Sequence, residues 1–231
     1  MLVQEGDNEY NQHSIRRDMM QTYMFDFDGT LVDSMPVFAS VMTGVLDEHH
    51  IKYEDDIIKV ITPLGYHDTA VHFIKMGVPL EKEMLLECIR SRMIEAYTFH
   101  VQAKEHVIDV LAELKKRGCS LNVLTASPHL TMDPCLKRLG IFDWFDHVWS
   151  CDDFGLNKAN PEIYAQAAAR IGCPVENVLF LDDNPNADRA ARMAGMKVCG
   201  VFDPFSAEFE QEMQRENDYY IHTFAELLDI Q

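Results

Sequence analysis

Apolar and polar residues alternate along the chain in two rhythms. Short β-rich runs recur at Tyr23-Met24-Phe25, Ser120–Leu124, His147–Ser150, Asn177–Leu181, Lys197–Phe202 and Tyr219–Ile221. Between and after them, Glu105–Arg117, Leu130–Leu139, Pro161–Ile171, Asn186–Ala194 and Ala207–Glu216 carry the spacing of helices. Gly118, Gly140, Gly172 and Gly195 stand where a glycine just past the last turn ends a helix. Strand and helix in alternation predict an α/β fold, a doubly wound parallel sheet with helices on both faces.

One stretch departs from that order. From Met35 to about His106 the apolar residues keep helical spacing and no strand pattern shows. Val37, Val41, Val45 and Leu46 form one stripe; Met84, Leu85, Cys88, Met93 and Ile94 form a second. The predicted organisation is a polar extension over residues 1–22, an α/β core over 23–34 and 107–231, and an inserted helical unit over 35–106. Pro63-Leu64-Gly65-Tyr66-His67 breaks that unit and predicts a loop between its helices.

The 231 residues are 47% hydrophobic and 25% charged, the composition of a globular protein rather than a disordered one. The net charge of −18 changes the functional picture. Such a surface repels phosphate backbones and anionic membranes, so neither nucleic acid nor a membrane is the expected partner. An anionic substrate would need positive charge built into its own site. Apolar stretches fall short of a membrane span, and the polar N-terminus lacks the apolar centre of a secretory leader. Six scattered cysteines without a C-x-x-C pair fit free thiols in a cytoplasmic setting. Whether the chain is a monomer or a homodimer is not written in the sequence.

The candidate chemistry sits at strand ends. Met24-Phe25-Asp26-Phe27-Asp28-Gly29-Thr30 places two aspartates and a glycine turn after the first strand, where ligands bind in open α/β sheets. A calcium loop would need an acid at its twelfth position, which counted from Asp26 is Val37. Asp182-Asp183 ends another strand, and a helix cap would need only one of the two. With Asp26 they are candidate oxygen ligands for Mg²⁺. Thr125 and the backbone of Ala126 close a third strand and can bind a phosphate oxygen ahead of a helix. Lys158, in Gly155-Leu156-Asn157-Lys158-Ala159-Asn160-Pro161, supplies a cation. Motifs for a nucleotide-binding P-loop, a dinucleotide fold and a serine nucleophile elbow are absent.

These four blocks, in this order, resemble the haloacid dehalogenase superfamily from Tyr23 to the C-terminus, in its phosphoglycolate-phosphatase-like and β-phosphoglucomutase-like branch. Ala159 after the lysine, Ala126 after the threonine, and Ala103-Lys104-Glu105-His106 where a Pro-Gly pair often ends the cap depart from the usual pattern. The resemblance implies a Mg²⁺-dependent phosphatase that passes through an aspartyl-phosphate, with residues 35–106 as its helical cap. It implies Asp26 as nucleophile and Asp28 as acid and base, with its carbonyl on the metal. Asp183, assisted by Asp182, would hold Mg²⁺. Gly29, Thr125, Ala126 and Lys158 would meet the phosphate. Asp28 favours phosphate chemistry over dehalogenation, because a halide leaves without a proton. The implied substrate is a small phosphorylated metabolite, a sugar phosphate or a phosphoglycolate-like ester. Two alternatives stand beside this: a phosphosugar mutase of the β-phosphoglucomutase type, and an inactive phosphate-binding protein. Within the cap, Tyr66 or His67 is expected to face the catalytic turn, the two being the candidates for substrate specificity.

Overall fold

A computed structural model describes residues 22–230 of the chain; residues 1–21 of the polar extension lie outside the described residues. Six strands, all parallel, form one sheet in the order β5-β4-β1-β6-β7-β8. These are β1 (Thr22–Phe25), β4 (Ser120–Thr125), β5 (His147–Ser150), β6 (Val178–Asp182), β7 (Lys197–Val201) and β8 (Tyr219–Ile221). Two-residue strands β2 (Val32–Asp33) and β3 (Gln102–Ala103) form a separate antiparallel ribbon.

Alternate residues of a strand face opposite sides of a sheet, and each side here has its own apolar layer. Tyr23, Phe25, Leu121, Val123, Leu179 and Leu181 pack into one layer, with Val107, Val110, Leu111 and Leu114 of helix α5 (Val107–Lys116). Met24, Leu124, Phe180 and Val198 pack into the other, with α7 (Glu162–Ile171) and α8 (Pro185–Ala194). Helix α6 (His129–Arg138) follows β4, and α9 (Glu210–Glu216) precedes β8. The sheet is doubly wound, as its alternating elements predict.

Strand order places the chemistry. The chain runs from β1 to β4 and β5 on one side, then crosses back to β6, β7 and β8 on the other. Such a reversal opens a crevice at the carboxyl ends of the strands. In register, Phe25 pairs with Val123 of β4 and Leu181 of β6. The ends of three neighbouring strands therefore bring Asp26, Thr125 and Asp182-Asp183 side by side.

Helices α1 (Met35–Glu48), α2 (Ile57–Ile61), α3 (Gly65–Met76) and α4 (Lys82–Phe99) lie between the two strands of the ribbon. Their buried stripe is Met42, Val45, Leu46, Ile61, Phe73, Leu85, Ile89 and Met93, continuous with the layer over Phe25. Three expectations need correction. Met84 is exposed, because Leu85 and Ile89 carry the buried face of α4 instead. Residues 35–106 do contain a strand, β3, too short to show a period in sequence. The break around Gly65 is not a loop. A 3₁₀ turn over Thr62–Leu64 runs straight into α3, so Tyr66 and His67 sit in a first helical turn. Gly65, at φ 66°, absorbs the change of direction.

Candidate active site

Asp26 follows β1 and donates its backbone N–H to the Leu181 carbonyl at 2.8 Å, which extends the sheet to its first catalytic candidate. Its side chain is 7% exposed. Lys158 Nζ lies 2.5 Å from Asp26 Oδ1 and 2.6 Å from Asp182 Oδ2. The lysine reaches in from the loop before α7. That loop is fixed from below by buried Tyr164, whose hydroxyl donates to the Lys158 carbonyl at 2.9 Å. Burial alone would make the ammonium easier to deprotonate; the charges of Asp182 and Asp26 outweigh it and hold the Lys158 pKa well above its ordinary value.

The two acids that end β6 are used differently. Asp182 is fully buried and both of its oxygens are engaged, Oδ2 by Lys158 and Oδ1 by the backbone N–H of Asn184 at 2.7 Å. Asp183 faces the catalytic turn, and Thr30 Oγ1 donates to it across 3.4 Å. Burial first, and then the neighbouring charges of Asp182 and Asp26, push the Asp183 carboxyl well above the usual range. Oxygens of Asp26, Asp182 and Asp183 lie within 4.8 Å of one another. Asp26 Oδ1 has the ionic contact with Lys158 but no directed hydrogen bond. Three hard oxygen donors, one without a hydrogen bond and one with a single long one, fit a small divalent cation such as Mg²⁺. Softer metals would want imidazole or thiolate.

Gly29 makes this closeness possible. Its φ is +72°, and a Cβ there would stand 2.7 Å from the Asp183 carboxylate. Only glycine gives both the left-handed turn and the close approach.

Asp28, next in the turn, is gripped from two sides. The Tyr97 hydroxyl donates to Oδ1 at 2.5 Å, and the Ser127 hydroxyl donates to Oδ2. Burial and the charge of Asp26 raise the Asp28 pKa, while the hydroxyls of Ser127, Tyr97 and Ser34 oppose the rise. Asp28 is thus a carboxyl whose proton is easier to keep than that of an exposed aspartate, the property an acid near neutral pH needs. Thr125 is buried, and its Oγ1 accepts from the Ser127 N–H at 3.1 Å, which shapes the turn after Ala126.

Asp26, Asp28, Gly29, Thr125, Ala126, Lys158, Asp182 and Asp183 come together at the strand ends. Of the two cap candidates, Tyr66 is half-buried and packs on the main apolar layer. Burial, and then the charge of Asp28, raise its phenol pKa. His67 is turned away: its ring is exposed and meets Asp68 at 3.0 Å and Lys82 Nζ at 2.8 Å. Helical geometry turns successive residues about 100° apart, so both could not face the turn. Tyr97 and Ser127 have no motif that marks them in sequence. Tyr97 continues the stripe of Met93 and reads there as core.

The sequence profile of the haloacid dehalogenase-like hydrolases matches residues 23–201. The chain belongs to the haloacid dehalogenase-like hydrolase family. It is a hydrolase of the phosphatase kind. It is 30% identical to the pyrophosphatase PpaX of Bacillus velezensis, over 90% of this chain and 94% of that one. It is 29% identical to a phosphoglycolate phosphatase of Salmonella choleraesuis, over 77% of this chain and 79% of the relative. The crystal structure of a predicted phosphoglycolate phosphatase from Haemophilus somnus superposes with a TM-score of 0.77 at 23% identity, covering 92% of this chain and 99% of that one. Among the described residues no helix is long and apolar enough to cross a membrane.

Proposed function

We propose that this hydrolase uses Mg²⁺ to cleave a small phosphomonoester, a sugar phosphate or phosphoglycolate-like metabolite, through a phosphorylated Asp26. The observation that carries the reading is the grouping of Asp26, Asp182, Asp183 and Lys158 around one point. Lys158 stands 2.5 Å from Asp26 and 2.6 Å from Asp182. Residues 35–106 act as the cap over residues 23–34 and 107–231.

Asp26 attacks phosphorus; an Asp26 oxygen–phosphorus bond forms as the ester oxygen–phosphorus bond breaks. The proton on Asp28 passes to the departing oxygen. Asp28, now a carboxylate, takes a proton from water as the water attacks the aspartyl-phosphate, and free phosphate leaves. Lys158 and the Thr125–Ala126 turn bind the phosphoryl oxygens and meet their growing charge. Asp182 holds Lys158 in place, its second oxygen tied to the backbone. Asp26, Asp183 and the Asp28 carbonyl would hold Mg²⁺, with Asp182 behind them. The ion supplies Lewis-acid stabilisation of the phosphoryl oxygens when bound. Mg²⁺ and Lys158 together provide the positive charge that a protein of net charge −18 must build locally. Six free thiols fit a reducing compartment such as the cytoplasm.

The test is a screen of phosphorylated metabolites, each assayed for phosphate release with and without Mg²⁺. Release from a monophosphate without a bisphosphate activator supports the reading. Conversion of β-glucose 1-phosphate to the 6-phosphate faster than phosphate release would favour a mutase. Silence on every ester would favour a binding protein.

A further inference from the structure

We propose that Tyr97, carried by the cap, is a positioning residue for Asp28, and that its hydroxyl ties the placement of the cap to delivery of the proton. This rests on Asp28 being the general acid of the reading above.

Tyr97 lies near the end of α4 and is 4% exposed. Its ring packs on Phe27, the residue between the two aspartates, with centroids 6.0 Å apart and planes at 36°. Its hydroxyl reaches Asp28 Oδ1 at 2.5 Å. The other oxygen of the same carboxyl is taken by Ser127, which belongs to the core. One donor leaves a carboxyl free to rotate about its bond to Cβ. Two donors on different elements fix its plane. The second donor here comes from the cap, so the plane of the acid depends on where α4 sits.

A buried tyrosine hydroxyl needs some acceptor, and a backbone carbonyl would satisfy it. Tyr97 instead spends its hydroxyl on the carboxyl that handles the proton. Among the described residues its hydroxyl makes no hydrogen bond or ion pair with Asp26 or Lys158, so it acts through Asp28.

The consequence depends on the leaving group. An alkoxide leaves only as it gains the Asp28 proton; p-nitrophenolate leaves without one. Misorienting Asp28 should therefore slow alkyl esters selectively. General acid catalysis is commonly worth about 10²–10⁴-fold, and partial misorientation should cost roughly tenfold of it.

The experiment compares Tyr97→Phe with the unaltered protein and with Asp28→Asn, all with Mg²⁺ present. The probes are p-nitrophenyl phosphate and the alkyl phosphate turned over fastest in the ester screen. The quantity read is kcat/KM, which reports the steps through departure of the leaving group. Tyr97→Phe keeps the ring against Phe27, and its melting temperature checks the fold. Tyr97→Met, measured on the same two esters, covers the case in which the Phe variant does not fold. The expected result is a loss on the alkyl ester about tenfold greater than on p-nitrophenyl phosphate, carried by kcat with KM nearly unchanged. Asp28→Asn should show the same selectivity, larger. If Asp28→Asn is selective and Tyr97→Phe slows both esters equally, or neither, Tyr97 only fills space and the proposal falls. If Asp28→Asn is itself unselective, the acid role of Asp28 falls and this proposal with it.

Discussion

Replacing Gly29 by alanine tests how tightly the catalytic turn and the metal candidates are built together. The substitution acts twice. At φ +72° an alanine is strained by about 1–2 kcal/mol. Its Cβ would also stand 2.7 Å from the Asp183 carboxylate, and ordinary contact begins near 3.5 Å, so the carboxylate must retreat by roughly 0.8 Å. That exceeds the ~0.5 Å within which a functional group must be held to work. Gly140 provides the control. Its φ is +75°, and nothing lies within 4 Å of a Cβ there. Gly140→Ala therefore suffers the strain alone. For a chain of this size about 1–2 kcal/mol lowers the melting temperature by roughly 2–8 °C. Gly140→Ala should lose that much, and Gly29→Ala at least that much. Only Gly29→Ala should also need at least about tenfold more Mg²⁺ for half-saturation, a cost of about 1.4 kcal/mol in binding. Isothermal titration with Mg²⁺ reads the affinity and calorimetric melting the stability. Equal Mg²⁺ affinity in the two alanine variants would refute the argument from close approach.

Other outcomes follow from the same geometry. Asp183→Ala should raise the Mg²⁺ needed for half-maximal rate more than Asp182→Ala does, since Asp182 spends both oxygens on Lys158 and Asn184; the reverse order in a metal titration contradicts this assignment. Asp182→Ala should instead raise KM for the ester, because Lys158 loses one of its two carboxylate partners. Tyr66→Ala should change kcat/KM by different factors for different esters, while exposed His67→Ala should change none by more than about twofold. A ranking of esters altered by His67→Ala and untouched by Tyr66→Ala would exchange their roles.

What could be read from the chain beforehand follows from which interactions are local. The sheet was legible because its strands are short apolar runs set between helices, four of which end in a glycine. Gly118, Gly140, Gly172 and Gly195 do adopt φ of 81°, 75°, 78° and 100°. Asp26, Asp28 and the Asp182-Asp183 pair were legible because acids directly after apolar strands have little structural reason to be there. Two-residue strands such as β2 and β3 carry no period, so the ribbon was hidden until the two ends of the insertion met. The turn at Gly65 looked like a loop, since Pro and Gly break helices in isolation; packing of Ile61, Ala70 and Phe73 restores helix on both sides. Tyr97 illustrates the harder limit. Its apolar ring obeys the helical stripe, and its hydroxyl matters only because the cap folds back onto Phe27 and Asp28. Ser127 is similar: the turn after Thr125 was visible, but its reach to Asp28 is tertiary.

The central claim is that phosphate passes through Asp26, and trapping the intermediate tests it most directly. The protein with Mg²⁺ and a turned-over ester is quenched in acid during steady state, digested and weighed by mass spectrometry. The account predicts that the peptide carrying Asp26 gains the mass of one phosphoryl group, that the gain vanishes in Asp26→Asn, and that this variant turns over at less than about a hundredth of the normal rate while still folded. A phosphoryl group on another residue, or full turnover by Asp26→Asn, would contradict it.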